Sequence, residues 1–442
     1  MYLLYSFIYT IVLIFIFPFQ YLKRPRKNRK GWLKEKFGFF QFSFPISQSS
    51  VIWVHAVSVG EVMAALPLLK KLKERYPSKG IILSTITDTG RKVARKGAPK
   101  GTTVVYLPFD IPLILNAVIK RVRPEILIVI ETELWPNIFR AFKKKGIPVV
   151  VLNGRISEHS FRGYKRISFF MKRALSHVDI FGMQDEVYAE RIRSMGVESE
   201  RVMVLGNFKF DTKPPSQIPE WSEKIKGPII VAGSTHKGEE EFITSVYSEL
   251  KKDIPDFNLI IAPRHPERFT EVGDMLASKD MPFIKRSAFG NQPSAPPPSP
   301  SPLEGEGRGG GESKSPEPQT FKGTIILLDS IGELSAIYGI ADIAIIGKSF
   351  RGYGGQNPLE PAYWGKPIVC GPHMENFPII KDFYTEGAAI EVNEEMLCPT
   401  LKELLMSPDK AKEIGSKAQQ LYRKNTGAVE RAIEVISKYI PK

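Results

Sequence analysis

The sequence predicts an α/β protein: two Rossmann-like domains in tandem, facing a cleft, behind an N-terminal membrane-anchor helix. Three observations carry this expectation. From residue 51 onward, short apolar runs alternate with segments of helical period, and the alternation comes in two sets. Near-continuous apolar strands separated by helices mean a parallel sheet covered on both faces. A Pro- and Lys-rich stretch at 212–227 parts the two sets and reads as a linker. Residues 1–22 carry no charge and are mostly Leu, Ile, Phe and Tyr, close to the ~20 residues that a bilayer span needs.

Each element follows in order. Residues 1–22 are the anchor, and the basic run from Lys23 to Lys30 opens a juxtamembrane segment, 23–50. A secretory signal would put its positive charge before the apolar run, the reverse of this order. The positive-inside rule then leaves the chain beyond residue 22 on the cytoplasmic side, and the cations suit anionic head groups. An interfacial helix lying in one leaflet is the other reading of the same stretch. The first domain, 51–211, has apolar strands at 51–54, 81–84, 104–107, 125–130, 149–152 and 180–183. Its first helix, 60–76, places Val62, Ala65, Leu66, Leu69 and Leu72 on one face. The second domain, 228–408, has strands at 228–232, 258–262, 324–328, 342–346 and 368–370. Within it, the Pro- and Gly-rich segment 290–320 lacks apolar residues to bury and reads as a disordered insertion. Residues 409–442 form a helical tail.

Composition narrows the function classes. A chain of 442 residues with 43% hydrophobic content has room for two or three domains with large cores. The net charge of +15 calls for an anionic partner: nucleic acid, an anionic membrane surface or a phosphorylated substrate. No nucleic-acid-binding motif and no interleaving of aromatic and basic residues supports the first. The two cysteines, Cys370 and Cys398, suggest no disulfide framework. The six histidines are scattered without ligand spacing, and no Asp-x-Asp motif is present, so neither a metal nor a cofactor is expected.

In open α/β sheets ligands bind beyond the carboxyl ends of the strands, and motifs sit at those ends here. Gly347, Gly352, Gly354 and Gly355 form a glycine-rich loop that leads into Asn357-Pro358-Leu359-Glu360-Pro361. Asn as cap and Pro in the first turn read as a helix start, which favours phosphate. Glu360 is placed to accept hydrogen bonds from ribose hydroxyls. In the alternative reading this is a tight strand-to-helix turn. Glu61, in His55-Ala56-Val57-Ser58-Val59-Gly60-Glu61, is a candidate general base or a glutamate that suits a helix N-terminus, where the dipole lowers its pKa. Glu131 and Glu133 are two carboxylates at one strand end, costly to hold together without a polar partner. Lys209 either meets an anion or is a solvated lysine. Arg264, in Ala262-Pro263-Arg264-His265-Pro266-Glu267-Arg268, offers a planar fork to phosphate or bridges loops. Gly233-Ser234-Thr235-His236 and the Ile331-Gly332-Glu333 turn add further strand-end loops.

The ordered set HAVSVGE, ETELWPN, GNFKFD, AGSTHKGEE, PRHPERF, IGELSAIYGIAD and GGQNPLEP, behind an apolar N-terminal segment, closely resembles the 3-deoxy-D-manno-octulosonic acid (Kdo) transferases of lipopolysaccharide synthesis. The resemblance covers nearly the whole chain apart from the Pro-rich insertion. It implies a GT-B fold, CMP-Kdo as donor, the tetra-acylated lipid A precursor as acceptor, and a place at the cytoplasmic face of the inner membrane. It implies Glu61 as proton acceptor and Glu131 and Lys209 as transition-state stabilisers. It assigns CMP contacts to Pro263, Arg264, Ile331, Gly332, Glu333, Asn357, Pro358, Leu359 and Glu360. Lys348 and Gln356 depart from the family, where glycine and histidine are usual. A sugar-nucleotide 2-epimerase of the same architecture and a membrane-tethered nucleic-acid-binding protein are the alternatives.

Overall fold

A computed structural model of the chain describes residues 1–45, 50–212, 217–289 and 320–440. The insertion expected at 290–320 lies outside the described residues except for its last position. The chain divides into two compact units, Met1–Thr212 with Asn425–Lys442, and Lys213–Lys424.

In the first unit seven strands form one sheet: β1 Val51–His55, β2 Gly80–Thr85, β3 Thr102–Tyr106, β4 Pro124–Ile130, β5 Val149–Gly154, β6 Ile180–Met183 and β7 Val202–Val204. Their order is β3-β2-β1-β4-β5-β6-β7, every pair parallel. The order reverses between β1 and β4, the switch point at which such sheets bind ligands. β1 shows why the strands read as continuous apolar runs. Val51 and Trp53 enter the core on one face, Ile52 and Val54 the core on the other. Helix α3, Val59–Arg75, buries Val62, Ala65, Leu68, Leu69 and Leu72 on the second of these cores.

The second unit repeats the plan with β8 Ile229–Thr235, β9 Asn258–Pro263, β10 Phe283–Lys285, β11 Ile325–Leu327, β12 Ile343–Ile346, β13 Ile368–Cys370 and β14 Ala389–Glu391. These pair in parallel in the order β10-β11-β9-β8-β12-β13-β14. The switch point falls between β8 and β12. The linker expected at 212–227 is partly folded into this unit: Trp221 and Ile225 are buried in its core.

The region read as one helical tail is two helices with different allegiances. Pro408–Lys424 belongs to the second unit, whereas Ala428–Ser437 returns to the first. There it buries Ala428, Val429, Ala432, Ile433 and Ile436 in the same core as α3. Asp211 fixes its start by accepting from the backbone N–H of Gly427 (2.6 Å) and Val429 (2.7 Å).

The N-terminal helix α1, Tyr2–Leu22, is the one helix among the described residues long and apolar enough to cross a membrane. It lies against the first unit. Helix α2, Arg26–Lys36, follows it and buries Trp32, whose ring meets Phe17 of α1 and Phe109.

Candidate active site

In the first unit the strand ends beside the switch point gather charged side chains. Ser58 caps α3, and Glu61 stands three residues on. Ser58 Oγ donates to Glu61 Oε1 (2.9 Å), and the Val57 N–H donates to Glu61 Oε2 (2.7 Å). Ser58 Oγ also accepts from the Glu61 N–H (3.4 Å), a relative of the capping box in which the carboxylate reaches back to the Val57 N–H, so the helix-start reading of Glu61 holds structurally. The same geometry leaves Glu61 buried at the end of β1. The helix dipole by itself would lower its pKa, but the direction is reversed. Burial raises it, the Val57 N–H and Ser58 oppose the rise, and the Glu131 carboxylate adds to it.

Glu131 directly follows β4 with φ at 60°, a left-handed conformation that costs a non-glycine residue. Its Oε2 accepts from Arg155 Nε (2.9 Å) at the end of β5. Lys209 sits after β7, its backbone N–H held by Asn207 Oδ1 (3.0 Å). Burial lowers the Lys209 pKa, Glu131 opposes this, and Arg155 adds to it. Glu131 therefore lies between two cations, which answers the cost of placing it near other carboxylates. Glu133 forms no ion pair among the described residues: burial and the charges of Glu61 and Glu131 push it up to about 7, against an opposing hydrogen bond from Trp135. The structure thus brings together Glu61, Glu131 and Lys209. It adds Arg155 and Glu133 to them; the sequence pointed to Glu133 only as half of an acidic pair and to Arg155 not at all.

In the second unit the loops after β8, β9 and β12 converge at the other switch point. A Cβ on Gly347 would come 2.3 Å from the Ser234 carbonyl oxygen, so only glycine lets the two backbones approach. The helix Glu239–Leu250 starts at Gly238, and its first residue, Glu239, is fully buried. Glu239 Oε2 accepts from the N–H groups of Lys348 (2.7 Å) and His236 (2.9 Å), and Oε1 accepts from Phe350 (3.1 Å). This buried carboxylate holds the glycine-rich loop in shape. Its only mark in the sequence is an acidic residue in a first helical turn. Lys348 adopts φ of 59°, a left-handed conformation that glycine takes freely and lysine does not.

The helix after that loop differs from expectation. It runs Leu359–Tyr363, only five residues, and is capped by Pro358, one residue beyond the expected cap Asn357, so the proline precedes the first turn instead of opening it. Asn357 still works locally: Oδ1 accepts from the Leu359 N–H (3.1 Å) and Nδ2 donates to Glu360 Oε1 (3.2 Å). Pro358 occupies the cap position. Burial raises the Glu360 pKa, while Asn357, Ser335 and the Arg264 guanidinium oppose the rise. Arg264 is therefore near Glu360. It follows buried Pro263 at the end of β9, with its side chain exposed. A one-turn helix has little dipole, so positive charge here comes from side chains.

The turn after β11 exposes Ile331 and puts Gly332 at φ of 93°. Glu333 is engaged elsewhere. Arg286 donates to both its oxygens, Nε at 2.7 Å and Nη2 at 2.8 Å, and Ser330 Oγ donates at 2.8 Å. Burial raises its pKa, but the Arg286 and Ser330 hydrogen bonds win and lower it. Among the described residues, no group of three or more His, Cys, Asp or Glu side chains is arranged to hold a metal ion.

The family model for 3-deoxy-D-manno-octulosonic-acid transferase (kdotransferase) matches residues 31–212. A 3-deoxy-D-manno-octulosonic acid transferase of Haemophilus influenzae is 32% identical over 431 residues, covering 95% of this chain and 94% of that protein. Among solved structures, a glycosyltransferase from Rickettsia africae ESF-5 aligns with a TM-score of 0.54 at 14% identity, covering 88% of this chain and 98% of that one. UDP-GlcNAc 2-epimerase from Neisseria meningitidis aligns with a TM-score of 0.58 at 13% identity, covering 88% and 100%. At these identities the two structures speak to fold alone, and the fold is of the GT-B type.

Proposed function

The chain belongs to the 3-deoxy-D-manno-octulosonic acid transferase family, and from that premise we propose that it moves Kdo from CMP-Kdo to the tetra-acylated lipid A precursor at the cytoplasmic face of the inner membrane. The first unit supplies the chemistry. An acceptor hydroxyl oxygen bonds to the anomeric carbon of Kdo, the bond from that carbon to the CMP phosphate oxygen breaks with its electron pair, and the hydroxyl proton goes to the Glu61 carboxylate. Burial makes this carboxylate a stronger base than an ordinary glutamate. Glu131 and Lys209 stabilise the charge that develops, with Arg155 holding the Glu131 carboxylate in place. The second unit binds the donor. Arg264 takes the phosphate, Glu360 the ribose hydroxyls, and Pro263, Asn357, Pro358 and Leu359 shape the pocket wall. The Ile331-Gly332-Glu333 turn contributes backbone groups, since the Glu333 side chain is committed to Arg286.

The observation that carries this reading is the meeting of Glu61, Glu131 and Lys209 beside one switch point, from motifs far apart in sequence. The test is mass spectrometry of the lipid product formed from freshly generated CMP-Kdo and the precursor. The parent is expected to add Kdo. Glu61→Gln is expected to slow turnover by ~10²-fold or more while CMP binding survives. CMP release without a Kdo-bearing lipid from the parent would end the acceptor assignment, and near-normal turnover in the variant would remove Glu61 as base.

A further inference from the structure

Helix α1 has two unlike faces, and their arrangement is the reverse of a solvated amphipathic helix. Tyr2, Tyr5, Ser6, Tyr9, Leu13 and Phe17 fall on one stripe at helical spacing and turn toward the first unit. The polar groups on this stripe find partners there. Tyr5 Oη donates to Asp110 Oδ2 (2.8 Å), the Asp110 N–H donates to Tyr9 Oη (3.2 Å), and Asn137 Nδ2 donates to Ser6 Oγ (2.9 Å). Asp110 is wholly buried. The rest of the circumference is apolar and open: Leu3 is 87% exposed, Phe15 71% and Phe19 77%.

Both ends of α1 touch the unit. At one end Tyr2 is buried, with Arg140 4.5 Å from its ring centroid and its hydroxyl donating to the Arg173 carbonyl (3.3 Å). At the other, Phe17 packs on Trp32 and Phe109. A helix of this length reaches ~30 Å, about the thickness of the hydrocarbon layer. If it crossed the bilayer while so docked, Arg140, Arg173 and Asp110 would enter hydrocarbon with it, each at a cost of about 2.5–3.5 kcal/mol or more. Cations flank both ends instead: Lys23 to Lys30 beyond one, and Arg140 and Arg173 at the other, with Lys143 and Lys144 beside the His177 ring that meets Tyr2. Two basic ends joined by an apolar ridge match one plane of anionic head groups. Leu113 and Phe169, exposed at 82% and 75%, extend the apolar surface on the same unit; Phe170, next in sequence to Phe169, stacks on Tyr5 of α1.

We propose that α1 is not a transmembrane span but an in-plane helix, fixed along the first unit, whose outward apolar face seats the protein in one anionic leaflet. This holds independently of the reaction assigned above.

The test uses the full chain in a Cys398→Ser background, which leaves only buried Cys370. Leu3→Cys, Val12→Cys and Phe19→Cys, all on the outward face, each carry an environment-sensitive nitrobenzoxadiazole label. The proteins are added to preformed phosphatidylethanolamine–phosphatidylglycerol vesicles. Quenching by lipids bearing spin labels at set depths is expected to place all three labels at one shallow depth, and external dithionite is expected to reduce all three. A label at position 12 near the bilayer centre, with position 3 protected from dithionite, would overturn the proposal in favour of a span. Failure of all three proteins to bind vesicles, with the labels buried in a soluble dimer, would overturn it in favour of a second copy.

Discussion

Glu133 shows how much a single side chain depends on its neighbours. Its carboxyl is held at about 7, against an ordinary 4.5, by burial and by Glu61 and Glu131. A folded-state value above the unfolded one means that folding favours the protonated form. The stability this group contributes is full below about 4.5 and is lost as pH rises through about 7. Glu133→Gln removes that dependence. Its Tm should exceed the parent's at pH 8 and match it near pH 4, and a lower Tm at pH 8 would mean that the charge is compensated. Arg264 is the counterpart in the second unit. The short helix beside it offers little dipole, so in the function proposed above the guanidinium is the group assigned to the phosphate. Arg264→Ala should lose roughly 1.5–3 kcal/mol of CMP binding, a ~10- to 100-fold fall read by calorimetry. Unchanged affinity would move the phosphate away from this residue.

At the scale of elements, the helix Ala428–Ser437 is tied to a segment more than 200 positions earlier that carries a candidate site residue, Lys209. Asp211, which holds the start of that helix, is two residues from Lys209, and the intervening Phe210 is buried. Asp211→Ala removes an N-terminal cap worth about 1–2 kcal/mol. The denaturant midpoint should fall, amide exchange across 428–437 should speed up, and turnover should drop as Lys209 loses its fixed neighbour. Exchange at the parent's rate would show that the apolar face alone holds the helix. α1 obeys the same logic. Its tyrosines are partners to a buried carboxylate, so its removal is not neutral to the unit beneath it.

At the scale of the whole molecule, each unit carries its own sheet and its own cores, so a ligand of one need not stiffen the other. CMP at 100 times its Kd stabilises the form that binds it by about 2.7 kcal/mol. Amide exchange with and without CMP should show protection at 233–239, 262–265 and 347–360, and little at 57–61. Protection confined to 57–61 would move the donor to the first unit.

The order of motifs and the apolar runs determined the family, the fold class and most of the strands, because buried parallel strands leave an unbroken apolar signature. They did not reveal β7, β10 and β14. Each has three residues at or near a sheet edge, where part of the backbone is unpaired and no periodic pattern develops. The ends of β1, β4 and β12 pointed to Glu61, Glu131 and Glu360, since topology alone says where open sheets bind. Tertiary structure decided the rest. It committed Glu333 to Arg286, placed Arg155 against Glu131, buried Glu239 beneath the glycine-rich loop, and split one apparent helical tail between two units. It also turned the tyrosines of α1 toward Asp110. Local sequence fixes a residue's chemistry and its element, but burial and charged neighbours set its pKa and its partner, and these come from segments far away along the chain.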